Sequence, residues 1–261
     1  MNTNEVLCRN DESFAAHTPL RVGGNANQWI WVYSEQELQS VMTTMTKKRW
    51  MIHWPFQDIL CWEGGYDGTV IRLAGDFSQI QYSADAITLG SSTLWAQVSG
   101  PFQKVFQDWS GSVGVLFTPK NQHTQALLKG YTLTLRWLVG KKIIEEVIEG
   151  HLPSKYQKKG ILLSVQIAGK PRKRKSKPFK SGEIYTSRSK ESIESIFEQY
   201  QLTGIRLKGW LLSTKQPGRV LRIGNGTIDE LLILGKGISE RTYKVSGKRL
   251  HIRIPVIGKE K

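Results

Sequence analysis

The chain has 261 residues, of which 39% are hydrophobic, and a formal net charge of +15. This length is enough for one large domain or for two to three small ones. No run of about 18 apolar residues occurs, and the N-terminus lacks the basic-then-apolar pattern of a secretory signal, so we expect a cytoplasmic protein. The positive charge favours a polyanionic binding partner: nucleic acid, anionic lipid or a phosphorylated ligand.

The cysteines and histidines indicate no metal centre. Cys8 and Cys61 have no CxxC spacing, and the five histidines are scattered singly. We therefore predict two reduced, structural cysteines and no metal site.

The first third of the chain predicts a βαββ unit. An apolar strand at 29–33 precedes a capping box at Ser34–Glu37, which predicts a helix to about Lys48. Further strands are predicted at 50–54 and 69–73.

The middle of the chain predicts a mixture of strands and one broken helix. The helix is predicted over 93–109, with an interruption near Gly100-Pro101. Strands are predicted at 79–82, 86–89, 132–139, 142–147 and 161–167.

A basic segment follows the last of these strands. Seven of the eleven residues from Lys170 to Lys180 are lysine or arginine, and two are proline. Such a segment cannot bury a face, so we predict an exposed linker. Three interpretations stay open: a solvated connector, a tether to nucleic acid or anionic membrane, and a docking site for an acidic protein. No RNA-recognition motif, helix-turn-helix or zinc finger is visible, so sequence-specific nucleic-acid binding is not expected.

Beyond the linker lies a separate α+β unit. Its predicted elements are helices at 190–200 and 227–234 and strands near 210–212, 219–223 and 250–254.

Three stretches in this order resemble the UDP-N-acetylenolpyruvoylglucosamine reductase family, flavin enzymes of peptidoglycan synthesis. They are His17–Gly24, Gly65–Leu73, and the C-terminal pair Leu202–Gly209 with Ile254–Gly258. The resemblance implies an α+β fold: a flavin-binding domain of two subdomains, like the vanillyl-alcohol-oxidase FAD-binding fold, plus a substrate domain. On this basis we predict four parts: 1–75 and 76–169 as the two FAD-binding-like subdomains, 170–180 as the linker and 181–261 as the substrate-type domain.

The phosphate loop of the family is replaced in this chain. That loop is a glycine-rich turn whose backbone N–H groups approach the FAD pyrophosphate. Aligned on Ile59-Leu60, the chain has Trp54, Pro55 and Phe56 there, followed by Gln57 and Asp58. Proline has no N–H, and the aromatic rings occupy space that a phosphate needs. We therefore expect no FAD bound in the family's usual way, and we expect Trp54, Phe56 and Trp62 to plug the cofactor cleft.

A second flavin-contacting element is partly retained. The family's P-G-T-x-G-G motif is reflected in Gly111, Ser112 and Gly114. These residues are either a remnant of the family's flavin-contacting element or glycines that simply form an ordinary turn.

The resemblance also places the catalytic positions. The family's arginine, proton-donating serine and glutamate correspond here to Leu152, Glu183 and Arg253, each a change of charge or of proton-transfer capacity. Glu183 and Arg253 either form a salt bridge or point to solvent. Arg206, Lys208 and Lys215 are candidates to hold a substrate diphosphate, or are exposed charges.

Three functions remain in competition. The first is a catalytically degenerate homologue that acts as a non-catalytic binding or scaffold protein for cell-wall synthesis or division, with no cofactor. The second is an active, divergent reductase that uses FAD and NADPH. The third is a polyanion-binding protein on the same scaffold, which acts through Lys170 to Lys180.

Overall fold

The structure is a computed structural model that describes residues 6–45, 48–107, 109–118, 128–149, 155–170, 185–187 and 192–260. Contacts between Cα atoms divide the chain into two compact units. The first comprises Met1–Asn10, Gln28–Gln57 and Gly68–Lys180, and the second Asp11–Asn27, Asp58–Asp67 and Ser181–Lys261. The four-part sequential division given above stays a prediction.

The first unit contains two sheets. One has the strand order β1-β2-β5-β3 and carries helix α1 (Glu35–Thr44). Its strands are β1 (Leu7–Ser13), β2 (Asn25–Val32), β3 (Trp50–Ile52) and β5 (Tyr66–Leu73). Strands β1, β2 and β5 contribute residues to both units. The short strand β4 (Leu60–Cys61) is not part of this sheet. The other sheet has the order β6-β7-β10-β8-β9, and its strands are β6 (Ile80–Tyr82), β7 (Ala86–Gly90), β8 (Thr132–Val139), β9 (Lys142–Glu149) and β10 (Ile161–Ala168).

Helix α1 begins at the predicted capping residue. The Ser34 hydroxyl accepts a hydrogen bond from the Glu37 N–H at 3.2 Å, while the Glu37 carboxylate accepts from the Tyr33 N–H at 2.7 Å. The start of the helix is thus confirmed, with Glu37 reaching one residue beyond the N-cap. Leu38 and Val41 are buried against the sheet.

The predicted interruption near Gly100-Pro101 is confirmed, but the helix predicted on both sides of it over 93–109 is wrong in its extent. The segment forms 3₁₀ turns at Trp95–Gln97 and Gly100–Phe102 and the short helix α2 (Gln103–Phe106), and α3 (Val113–Leu116) follows. The buried aromatic rings of Trp95, Phe102, Phe106 and Trp109 recur at spacings that resemble a helical face. They pack together around a chain that turns at Gly100, whose φ is +64°.

The second unit is built around a helix and small sheets. Its described elements are β11 (Tyr185–Ser187), α4 (Ile193–Gln199), β12 (Arg206–Leu207), β13 (Trp210–Leu212), β14 (Val220–Arg222), α5 (Ile228–Ser246), β15 (Leu250–Ile252) and β16 (Val256–Ile257). Strands β12, β13 and β14 form one sheet, β11 pairs with β15, and β16 pairs in parallel with β4. Trp210 is fully buried in the core of this unit, and its indole N–H donates to the Thr227 carbonyl at 2.8 Å.

Helix α5 is much longer than predicted. It begins at the Thr227 capping box, continues through Gly235 and ends at Gly247, where φ is +69°. Gly235 belongs inside the helix because its missing side chain makes room for Ile252, and its carbonyl accepts from the Tyr185 hydroxyl at 3.2 Å. Position 235 is therefore a glycine because of close packing against Ile252, and not because the helix ends there.

Within the parts of the chain that the structure describes, no helix is long and apolar enough to cross a membrane. The same parts contain no group of three or more acidic, histidine or cysteine side chains arranged to hold a metal ion.

Candidate ligand-binding site

The segment 54–57, which the family resemblance aligns with the phosphate loop, is a closed turn that follows β3. The Trp54 N–H donates to the Gln57 side-chain oxygen at 3.0 Å, and the Gln57 N–H donates to the Trp54 carbonyl at 3.1 Å. Pro55, between them, has no N–H. The amides of Trp54 and Gln57 are thus already used inside the turn.

The Trp54 indole occupies the space above Gly114. Trp54 is only 6% exposed, and a Cβ atom built on Gly114 would lie 2.4 Å from Cδ2 of its indole. A side chain at position 114 is therefore incompatible with the observed position of the indole. The predicted plugging role fits Trp54, whose ring is part of the core of the first unit.

The two other aromatic residues expected to plug the cleft do not do so. Phe56 is 51% exposed, and it has a φ of +56°, a conformation that bulky residues rarely adopt. Trp62 packs, partly buried, against the core of the second unit. The turn at Pro55 aims the Phe56 ring away from the core, and Trp62 follows β4 into the other unit. Asp58, the last residue aligned with the family's loop, is buried and also belongs to the second unit.

The segment at 111–114 is held against the loop that follows β7. The Gly114 N–H donates to the Ser91 carbonyl at 2.6 Å, the Val113 N–H to the Thr93 carbonyl at 2.9 Å, and the Trp95 N–H to the Gly111 carbonyl at 3.2 Å. The paired loops form a rigid platform, since three backbone hydrogen bonds join them above a cluster of buried aromatic rings.

Two hydroxyls are buried in this platform. Ser91 and Ser112 are fully buried, and neither hydroxyl has a hydrogen-bond partner among the described residues. Unpaired buried polar groups are rare in folded proteins and often belong to ligand sites. Ser112 was singled out from the sequence; Ser91 was missed. The sequence feature that could have identified Ser91 is the run of small polar residues, Ser91 to Thr93, which follows a predicted strand.

Several predicted site residues lie outside the described part of the chain. Leu152, Glu183 and the basic residues 171–180 are among them. Arg253, the proposed partner of Glu183, follows β15 and is partly buried. The predicted salt bridge therefore stays a prediction.

The three candidate diphosphate ligands lie on one small sheet and its turns. Arg206 is in β12, Lys208 is in the turn to β13, and Lys215 is exposed in the turn between β13 and β14. The Arg206 Nε donates to the Lys208 carbonyl at 3.1 Å, and the Lys208 Nζ lies 3.0 Å from a Glu230 carboxylate oxygen. The hydrogen bond from Lys208, followed by that from the Thr227 backbone, lowers the pKa of Glu230. The charge of Lys208 is thus partly compensated by a protein carboxylate.

The glycine pair of the first resembling stretch packs against backbone. The Gly24 N–H donates to the Cys61 carbonyl at 3.1 Å, and a Cβ on Gly24 would lie 2.6 Å from the Trp62 carbonyl oxygen. A Cβ on Gly23 would lie 2.8 Å from the Cys61 carbonyl oxygen. Both glycines are required for this close approach of two chain segments within the second unit.

Curated relatives match the chain over nearly its whole length. UDP-N-acetylenolpyruvoylglucosamine reductase from Paramagnetospirillum magneticum is 24% identical over 279 residues, covering 95% of this chain and 91% of that protein. The reductase of the same name from Anoxybacillus flavithermus is 19% identical over 298 residues, covering 100% of this chain and 97% of that protein. No family model matches the chain.

A solved structure has the same fold. The crystal structure of UDP-N-acetylenolpyruvylglucosamine reductase from Thermus caldophilus superimposes with a TM-score of 0.67 at 18% identity, covering 96% of this chain and 98% of that one. The match confirms the predicted α+β FAD-binding fold. Together with the whole-length relatives, it supports the resemblance of this chain to the UDP-N-acetylenolpyruvoylglucosamine reductase family.

Proposed function

We propose that the chain is a catalytically degenerate homologue of the reductase that acts as a non-catalytic binding or scaffold protein linked to cell-wall synthesis or division. One observation carries the proposal: the Trp54 indole lies on Gly114, and the backbone amides of Trp54 and Gln57 are engaged within their own turn.

The geometry of this turn does not fit a flavin dinucleotide held in the family's manner. A pyrophosphate needs several free N–H groups that converge on one point. Here two N–H groups are used by the turn itself, and Pro55 has none. A flavin ring that approached Gly114 would have to displace a side chain that is 6% exposed.

The proposal also draws on the positions that the family resemblance assigns to catalysis. Leu152 and Glu183 have neither the guanidinium nor the hydroxyl expected there, and Arg253 replaces a carboxylate. A protein with these residues keeps the scaffold and lacks the proton donor.

The visible absorbance spectrum of the purified protein tests this function. We expect a colourless protein whose melting temperature is unchanged by FAD or NADPH, because ligands stabilise only proteins that bind them. A bound flavin, or FAD-dependent oxidation of NADPH in the presence of the enolpyruvyl substrate, would overturn the proposal.

One observation favours the second candidate, an active reductase. The buried hydroxyls of Ser91 and Ser112 would gain partners if a polar ligand entered the platform. On this alternative Trp54 moves on binding, and FAD raises the melting temperature of the unmodified protein. The alanine variant Trp54→Ala separates the two cases. A response to FAD in the variant alone supports the plug, and an equal response in both proteins supports the active enzyme.

A further inference from the structure

A polar groove crosses the exposed face of the five-stranded sheet in the first unit. Its volume is about 690 Å³, within the range of about 300–1,000 Å³ that is typical of small-molecule sites. Neither Trp54 nor the glycines at 111 and 114 line it. The groove is thus distinct from the platform described above.

Strand register places the polar side chains of the groove in two rows. Gln81, Thr88, Gln166 and Thr134 are successive cross-strand partners in the first row. Gly90, Ser164, Arg136 and Glu145 form the second row. Cross-strand partners on one face have Cβ atoms about 5 Å apart, so the amides and hydroxyls form a closely spaced array. The buried residues Phe77 and Leu163 also line the groove.

An ion-pair network fixes one end of the groove. Both guanidinium NH groups of Arg136 donate to the Glu35 carboxylate, at 2.7 and 3.2 Å, and its Nε lies 3.3 Å from a Glu145 oxygen. The bidentate geometry holds these side chains in one arrangement. Asp76 is the third carboxylate of the groove and accepts from the Gln79 amide at 3.0 Å. Three carboxylates against one guanidinium give the groove a net charge of −2 in a chain of net charge +15.

We propose that this groove binds an oligosaccharide that carries no phosphate or carboxylate groups. Sugar hydroxyls both donate and accept, and they require side chains that do the same; glutamine, threonine and serine are such side chains. Planar amides and carboxylates match pairs of neighbouring hydroxyls. The negative charge opposes phosphorylated ligands and favours sugars with free amino groups over their acetylated forms.

This inference goes beyond the proposed function and is independent of it, because the groove uses none of the residues of the flavin platform. Titration of the full chain with chitotetraose, with the glucosamine tetramer and with trilysine, followed by NMR, tests it. We expect saturable shifts of the Gln81 and Gln166 side-chain amides with both sugars, and tighter binding of the glucosamine tetramer. No shift with either sugar, or binding of trilysine alone, would overturn it.

Two matched pairs of variants locate the site. Gln166→Leu should weaken sugar binding about fivefold, the effect of one lost hydrogen bond. Gln103→Leu replaces an exposed glutamine of α2 outside the groove and should leave binding unchanged. Equal losses in both variants would contradict the assignment.

The charge pair compares two exposed residues of β9. Glu145→Gln removes a carboxylate from the groove, whereas Glu149→Gln removes one outside it. Glu145→Gln should narrow the preference for the glucosamine tetramer over chitotetraose, because it removes negative charge that attracts the free amines. Glu149→Gln should leave the preference as it is, and an unchanged preference in both variants would contradict the charge argument.

Discussion

Two regions of this chain that the family resemblance singles out are held together in different ways. In the second unit, Gly23 and Gly24 pack against the backbone around Cys61 and Trp62, and both are retained. In the first unit, the segment that the resemblance aligns with the family's glycine loop is a turn closed by Trp54 and Gln57. Close backbone contacts thus require the glycines in one region, whereas hydrogen bonds between Trp54 and Gln57 hold the turn in the other.

Gly114 connects the two cases. It lies in the platform that the family resemblance associates with flavin, yet in this chain its missing side chain accommodates the Trp54 indole. The absence of a side chain at Gly114 therefore has a packing role in this structure. The comparison can be sharpened by changing each region separately.

The largest expected effect concerns how well the folded chain shields the Cys61 thiol, which lies beside Gly23 and Gly24, from reagents in solvent. Burial, with a further contribution from the Glu63 carboxylate, raises the pKa of the Cys61 thiol to about 12 from 9.0. The thiolate is the reactive form, so Cys61 should react with iodoacetamide at least about tenfold more slowly in the folded chain than in the unfolded one. The measurement uses Cys8→Ser, which removes the exposed thiol. Rapid labelling of the folded variant would mean that this region opens readily.

The next effect is on stability. Gly24→Ala places a Cβ 2.6 Å from the Trp62 carbonyl oxygen and 2.8 Å from that of Glu63, and backbone cannot yield as a side-chain tip can. We expect a loss of about 3 kcal/mol in the free energy of unfolding, measured in urea.

The matched control for this substitution is Gly237→Ala. Gly237 lies in α5 with open space around its Cα, so alanine should stabilise the protein by about 0.5–1 kcal/mol through helix propensity. Similar unfolding curves for the two variants would refute the role of close approach at Gly24.

A double-mutant cycle tests whether Gly114 now serves Trp54. Gly114→Ala should destabilise the unmodified chain because of the clash with the indole, but much less in the Trp54→Ala background. The expected coupling is about 2 kcal/mol, within the range for residues in direct contact. Trp54→Ala alone should cost about 3–5 kcal/mol because it leaves a cavity in the core. Additive effects would show that Gly114 is retained for another reason.

The smallest expected effect is at the pair formed by the exposed Lys208 and the partly buried Glu230. Lys208→Gln should raise the pKa of Glu230 toward its usual value, since the hydrogen bond from Lys208 is the largest cause of its lowering. A lowered carboxylate pKa stabilises the fold above the unfolded value of 4.5, and that stabilisation is lost as the pH falls through the folded value. NMR titration of the carboxylate in both proteins measures the shift, and an unchanged titration would mean that the pair does not persist in solution.

Local patterns predicted most of the strands and the start of α1. Alternating apolar residues at 132–139 and 161–167 were sufficient for β8 and β10, because one face of each strand is buried in the sheet. The same reasoning failed at 93–109, where four buried aromatics share a core without sharing a helix. The same reasoning predicted that α5 ends before Gly235. A glycine that close packing requires cannot be distinguished, from the local sequence, from a glycine that ends a helix.

The sequence by itself determined the family resemblance, the α+β class and the presence of Trp54, Pro55 and Phe56 after β3, because each depends on residue identity along the chain. Only the tertiary structure decided that Trp54 and not Phe56 fills the space above Gly114, that Ser91 joins Ser112 as a buried hydroxyl, and that a polar groove crosses the second sheet. The residues that form these features are far apart in the chain. They come into contact because of strand register and the direction of each turn, and a local sequence pattern encodes neither.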